Sequence, residues 1–281
     1  MTAILLNGKA LAQQIQTQLK HDIKQLKRKP HLAVILIGND PASNIYVHNK
    51  QNACAYVGIE STLHHHLTID ETDLLKLINN LNHASNVDGI LVQLPLPPNI
   101  SIEKIVDHID PKKDVDGFHP YNVGLLAQNR AQLRPCTPFG ILRLLQAYHV
   151  SLTGLHAVIL GRSNIVGKPL GLELMNAGCT VTLCHKETHN IRKYVEAADL
   201  LISATGVLNP IDSAWIREAS IVIDVGIHRL RNGNLRGDLD FIVARERTSY
   251  ITPVPGGVGP MTVAMLLENV WRAGITHPME K

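Results

Sequence analysis

Apolar residues in the first part of the chain recur with the spacing of a helix face. Leu11, Ile15, Leu19, Ile23 and Leu26 step by four, four, four and three, which predicts one helix from Lys9 that closes before Pro30. Residues 32–37 then form a continuous apolar run, short enough for a strand buried on both faces of a parallel sheet. Asp40-Pro41 offers an N-cap and an N1 proline for a helix to about Val57, ended by Gly58. Strand, helix and strand are predicted near 62–68, 73–81 and 89–93. Leu94-Pro95-Leu96-Pro97-Pro98 stops the last of these, because proline has no ladder donor.

A second series starts after Pro135-Cys136-Thr137-Pro138 with a helix through Ile141, Leu144, Leu145 and Tyr148. Strands are predicted at 157–160, 180–184, 200–203, 221–224 and, briefly, 250–252, most of them separated by helical stretches. A final helix at about 262–272 follows a Gly/Pro-rich loop and can return to either series. Alternation of this kind reads as an α/β fold with two units, divided near residues 118–140.

Composition narrows the function classes. Of 281 residues 45% are hydrophobic, and Lys plus Arg is 27 against Asp plus Glu 24, a formal charge of +3. That balance gives no electrostatic case for nucleic acid or an anionic membrane as partner. No apolar run reaches membrane-spanning length, and the opening MTAILLNGKALAQQ lacks a basic leader region, so the expectation is a cytoplasmic protein. Cys54, Cys136, Cys179 and Cys184 are sparse and irregular, and read as small buried hydrophobes. His64-His65-His66 invites a metal, but adjacent side chains on an extended segment alternate faces and no carboxylate cluster accompanies them. A surface strand and no metal site are expected.

The predicted strand 157–160 runs into Gly161-Arg162-Ser163-Asn164-Ile165-Val166-Gly167-Lys168-Pro169 and then a helix. A glycine-bearing turn of this kind turns backbone N–H groups and a helix N-terminus toward a pyrophosphate. The match to G-x-G-x-x-G is imperfect, with Ser163 and Val166 at two glycine places, and a purely structural turn remains open. Pro169 after Lys168 excludes a P-loop. The next strand ends in Cys184-His185-Lys186, and Lys186 with Arg162 offers two cations for a 2′-phosphate, which favours NADP over NAD although Glu187 follows.

In the first series Tyr46 and Lys50 lie four apart on one helix, hence on one face. A lysine beside a tyrosine in a dry pocket can exchange protons near neutrality. On these two residues alone an amphipathic helix with a solvent-reaching lysine is the better reading. Gln93 ends a buried strand, where α/β sheets place ligands. Lys112-Lys113-Asp114-Val115-Asp116-Gly117-Phe118 reads most simply as an Asx-turn into Gly117. Pro253-Val254-Pro255-Gly256-Gly257-Val258-Gly259-Pro260-Met261-Thr262 holds three glycines and three prolines, a backbone path that can approach a ligand closely.

Together these stretches closely resemble the bifunctional methylenetetrahydrofolate dehydrogenase/methenyltetrahydrofolate cyclohydrolase family. The carriers are Tyr46 to Lys50, Val92 to Pro97, Lys113 to Phe118, Pro135 to Pro138, Gly161 to Gly167, Ile223 to Ile227 and Pro253 to Thr262, in family order. The resemblance implies two α/β domains flanking a cleft: a folate-binding catalytic domain over 1–120, joined by a helix at about 258–276, and a Rossmann-like NADP-binding domain over 121–257. It implies NADP-dependent oxidation of 5,10-methylenetetrahydrofolate and hydrolysis of the product to 10-formyltetrahydrofolate, in one-carbon metabolism and purine biosynthesis, by a homodimer. Lys50 would carry protons, Gln93 would bond Lys50 and tune its protonation, Tyr46 would hold lysine and folate in register, and Asp116 would anchor the pterin. Val92, Leu94 and the loop Pro255, Gly256, Gly257, Val258 and Gly259 would border the folate. Gly161, Arg162, Ser163, Lys186 and, by its backbone, Ile227 would meet the cofactor. Lys186 departs from the family, which commonly has a small serine there. Two other readings stay open: an NADP-dependent dehydrogenase of another small substrate, and a non-catalytic folate- or nucleotide-binding regulator.

Overall fold

The computed structural model describes residues 3–276, so Met1 and Thr2 of the opening stretch lie outside them. The chain divides into two compact units. One comprises Gln14–Cys136 and the chain from Val263 on; the other comprises the chain up to Gln13 and Thr137–Thr262.

The first unit is built on a parallel three-stranded sheet in which β2 (His31–Ile37) lies between β3 (Glu60–His66) and β4 (Gly89–Val92). Residues Leu32–Ile37 of β2 are buried throughout, as expected of a run covered on both faces. Around the sheet lie α1 (Gly8–Lys24, shared with the other unit), α2 (Pro41–Val57), α3 (Glu71–His83), α4 (Ile102–His108), α5 (Pro120–Ala127) and most of α10 (Val258–Thr276). Helix α2 starts where the sequence indicates: Asp40 Oδ2 accepts from Ser43 N at 2.8 Å, Pro41 stands at the first helical position, and Gly58 ends the helix at φ +92°. The three histidines fall on β3, an edge strand, with His65 exposed and its neighbours half-buried.

Beyond β4 the chain returns to extend the sheet by one bridge, Ile90 to Asp114, with Ile90 N donating to Lys113 O at 2.8 Å. Gly89 makes the approach possible, since a Cβ there would sit 2.6 Å from Val115 Cγ1. Lys113 is buried and its ammonium donates to Leu81 O and Ala84 O at the end of α3. Asp114 takes the N–H groups of Gly117 and His119 and the amide of Asn122, so the expected Asx-turn is present.

The second unit carries a six-stranded parallel sheet: β6 (Thr180–Cys184), β5 (His156–Leu160), β7 (Leu200–Ser203), β8 (Ile221–Asp224), β11 (Tyr250–Ile251) and β1 (Ile4–Leu5), in that spatial order. Helices α6 (Cys136–Ala147), α7 (Gly167–Asn176), α8 (Ile191–Ala197) and α9 (Phe241–Arg247) accompany it, with a short antiparallel pair, β9 (His228–Arg229) and β10 (Leu235–Arg236). Strand order reverses between β5 and β7, the switch point of a doubly wound, Rossmann-like sheet.

Boundaries differ from the expected 1–120 and 121–257 for physical reasons. Two-residue β1 pairs with β11 nearly the whole chain away, Ile4 against Tyr250, which draws the amino-terminal segment into the second unit. Residues 121–136 stay with the first, where Asn122 holds Asp114. The last helix spans Val258–Thr276, the extent the family resemblance implies and longer than the 262–272 read from the residue pattern, and it groups with the first unit from Val263 on. There Asn269, fully buried, donates to Val115 O and Arg134 O, both at 2.8 Å. Asn269→Ala would leave both carbonyls without this donor. A loss of about 2–3 kcal/mol is expected in urea unfolding; a change below about 0.5 kcal/mol would show that water or a shifted chain takes over the bonds.

Candidate active site

In the first unit the parallel bridge sets the arrangement. With Ile90 opposite Asp114, Asp116 falls two residues on, level with Val92, beside the strand end that carries Gln93. Lys50, in the third turn of α2, donates from Nζ to Gln93 Oε1 at 3.0 Å. Gln93 in turn donates from Nε2 to Leu94 O at 2.6 Å, which fixes which end of its amide faces the lysine. Val92 is buried, Leu94 half-buried, and Tyr46, one turn before Lys50, is 44% exposed.

Asp116 is a carboxyl in a mostly apolar place, sharing a small cavity wall with Val92, Leu94, Leu96 and Phe118. Burial pushes it up to about 6; Lys50 pulls it down and Asp114 pushes it further up. It therefore changes charge just below neutrality, close to a lysine ammonium. Burial also raises the nearby Cys136 thiol far above its ordinary range, so that sulfur is a packing group. All four cysteines are free and buried, as expected.

In the second unit the turn after β5 lies at the switch point. Gly161 has φ +119°, and a Cβ on it would meet Ala204 O at 2.3 Å; a Cβ on Gly167 would meet Gly161 O at 2.0 Å. The second close glycine is thus Gly167, one place later than the Rossmann pattern puts its last glycine. Ser163 Oγ accepts from Val166 N and Gly167 N, and Gly161 N donates to Cys184 O, which brings the end of β6 beside the turn. Arg162 and Lys186 are exposed and make no hydrogen bond or ion pair with the described residues. A tight backbone turn with a helix N-terminus and two unengaged cations fits a phosphorylated dinucleotide.

A separate cavity of about 110 Å3 in this unit is lined by Asp224, Ile227, Leu235 and the whole stretch Pro253–Pro260. The loop expected to border the folate and the Ile227 expected to touch the cofactor therefore share one cavity wall. Gly8 packs against this loop so closely that a Cβ would lie 1.9 Å from Gly257 O, and Lys9 N donates to Gly256 O. Sequence reasoning gave no separate role to Asp224, Asp238 or His228; Asp224 lines this wall, and Asp238 and His228 bond each other behind it. The available signal was a glycine within two residues of each acid, in Asp224-Val225-Gly226 and Gly237-Asp238.

Comparison with known proteins gives the family. A family model described as the tetrahydrofolate dehydrogenase/cyclohydrolase catalytic domain matches residues 6–116, and one for the NAD(P)-binding domain of the same family matches 135–277. The chain belongs to the tetrahydrofolate dehydrogenase/cyclohydrolase family. Within that family it is 54% identical over 275 residues to the bifunctional protein FolD of Legionella pneumophila strain Corby, with 96% of each chain covered. It also matches the crystal structure of the Campylobacter jejuni bifunctional enzyme FolD, a methylenetetrahydrofolate dehydrogenase/cyclohydrolase, at 49% identity and TM-score 0.95, covering 98% of this chain and 99% of that one. The Trypanosoma brucei methylenetetrahydrofolate dehydrogenase-cyclohydrolase, complexed with NADP and an inhibitor, matches at 35% identity and TM-score 0.94, with 98% of each covered.

Asp116 yields a pH prediction. Its folded-state value lies above that of an unfolded aspartate, so the folded protein holds the proton more tightly between about pH 4 and 6. The destabilisation it causes is absent below about pH 4 and grows to its full size above about pH 6. Asp116→Asn is expected to be more stable than the parent by on the order of 1–2 kcal/mol at pH 7.5, the gain vanishing by pH 4. A gain that grows on acidification in urea melts would contradict the assignment.

Proposed function

We propose that this protein oxidises 5,10-methylenetetrahydrofolate to the 5,10-methenyl form with NADP+ and hydrolyses that product to 10-formyltetrahydrofolate, with Lys50 as the proton carrier of the second reaction. The observation that carries the reading is the bond from Lys50 Nζ to Gln93 Oε1 beside Asp116, in a chain that belongs to the family along its length.

When bound, NADP+ supplies the hydride acceptor at C4 of its nicotinamide. Oxidation leaves a cation shared between the two folate nitrogens, so this step calls on no acid from the chain. What the chain supplies is orientation. Gly161 and Gly167 let the turn after β5 close tightly, Ser163 braces the start of α7, and Arg162 and Lys186 stand for the 2′-phosphate. Ile227 offers its backbone from the wall of the cavity it shares with Pro253–Pro260.

Hydrolysis does need proton transfer. Water attacks the methenyl carbon and gives a proton to the free amine of Lys50. The ammonium returns a proton to N5 as the carbon–N5 bond breaks, the carbon keeps its bond to N10, and the remaining hydroxyl proton leaves as the formyl C=O forms. One proton is released overall. Gln93 accepts from the ammonium and donates nothing to it, so it orients Lys50 without a fixed ion pair. Above about pH 6 Asp116 is a carboxylate able to accept from the N–H edge of the pterin. Tyr46 lies on the same helix face as Lys50, and Val92 and Leu94 serve as apolar contacts for the folate.

Among the described residues no helix is long and apolar enough to cross a membrane. We place the enzyme in the cytoplasm as a homodimer whose formyl product serves purine biosynthesis, readings supported by the family resemblance.

The test is a paired assay on the parent and Lys50→Met, following NADP+-dependent oxidation of methylenetetrahydrofolate and, separately, hydrolysis of methenyltetrahydrofolate above its uncatalysed rate. Hydrolysis is expected to fall by about 10²–10⁴-fold, with oxidation retained. Unchanged hydrolysis would remove Lys50 from its role. A folded parent that binds NADP+ and folate but turns over neither would favour the regulator, and one that oxidises only another small substrate would favour the other dehydrogenase.

A further inference from the structure

In the wall of the second unit's cavity and behind it, two aspartates fasten three segments together. Asp224, at the end of β8, takes the N–H groups of Gly226 and Asp238 on Oδ1, at 3.0 and 2.9 Å, and that of Leu239 on Oδ2, at 2.9 Å. Asp238, fully buried just after β10, takes five donors. Its Oδ2 accepts from Ser203 Oγ at 3.0 Å, Thr205 N at 2.9 Å, Thr205 Oγ1 at 2.8 Å and Gly206 N at 3.3 Å; its Oδ1 meets His228 Nε2 at 2.8 Å.

These donors come from the end of β7 and from the segments that follow β7 and β8. Ala204, between two of them, presents the carbonyl that Gly161 can approach only without a side chain. Asp224 to Ile227 line the cavity shared with Pro253–Pro260. The loop after β8 also rests directly on the carboxylate, since a Cβ on Gly226 would lie 2.0 Å from Asp238 Oδ1.

We propose that Asp238 is the positioning residue of the dinucleotide site: it makes no contact with the cofactor, and it sets the loops after β7 and β8 against the glycine turn. This rests on the reading of that turn as the cofactor site. A buried carboxylate can hold two loops at once because it accepts several N–H and O–H donors without offering one. Burial disfavours its charge, and the bonds from His228, Thr205 and Ser203 outweigh burial, so it sits below the ordinary carboxylate range and is ionised at neutral pH. An amide of the same shape would turn a donor toward one of these donor groups.

The test separates cofactor positioning from general stability, because hydrolysis of methenyltetrahydrofolate needs no dinucleotide and draws on Lys50 and Gln93 in the other unit. NADP+ is titrated calorimetrically into the parent and Asp238→Asn, and cofactor-free hydrolysis is measured on the same samples. We expect Kd for NADP+ to rise at least tenfold in the variant while hydrolysis stays within twofold. Thr205→Val, which removes one donor and keeps the carboxylate, should give a smaller rise and serves if Asp238→Asn does not fold. Affinity within twofold of the parent in every folded variant, or binding and hydrolysis falling together, overturns the proposal. A folded parent that does not bind NADP+ overturns the reading of the site instead.

Discussion

A side chain that must give and take a proton needs a partner that orients it without pinning its charge. In the proposed hydrolysis the bond from Lys50 to Gln93 meets that need, and the architecture of the first unit sustains it. The lysine comes from a helix fixed at its start by Asp40 and Pro41 and at its end by Gly58. The glutamine comes from the end of β4, with its amide oriented by Leu94 O. A direct carboxylate partner would lock the ammonium in its charged form. Asp116 is near, with its carboxyl raised by burial to about 6, but it makes no ion pair with Lys50 among the described residues.

The same economy of contacts organises the second unit. Its sheet supplies a switch point, and beside the two cations Arg162 and Lys186 its proposed contacts are largely backbone: a turn admitted by Gly161 and Gly167, and a loop pressed against Gly8. Side-chain chemistry sits behind those surfaces, in Asp224 and Asp238, which accept what the loops donate. One unit therefore presents reactive side chains on a rigid strand and helix, while the other presents shaped backbone on buried carboxylates.

The parts of this plan visible in the sequence are those whose cause is local. The run at 32–37, the Asp40-Pro41 cap and the Gly58 stop each act within a few residues, and all appear where expected. Lys50 with Gln93 was legible through the family motifs; from helix spacing alone the plain amphipathic reading was the better one. Long-range causes stayed hidden. Nothing near Ile4 announces its pairing with Tyr250, nothing near Asn269 announces Val115 and Arg134, and Asp238 matters because of donors more than thirty residues upstream. The later closure at Gly167 was likewise hidden, because only the fold shows which carbonyl a side chain would strike.

The most direct measurement is the rate of methenyltetrahydrofolate hydrolysis, corrected for the uncatalysed rate, in the parent and in Gln93→Leu. The acceptor 3.0 Å from Lys50 Nζ orients the proton carrier, so its removal is expected to lower the maximum hydrolysis rate by at least about tenfold. A rate within twofold of the parent, in a folded variant, would contradict the claim that this hydrogen bond orients the proton carrier.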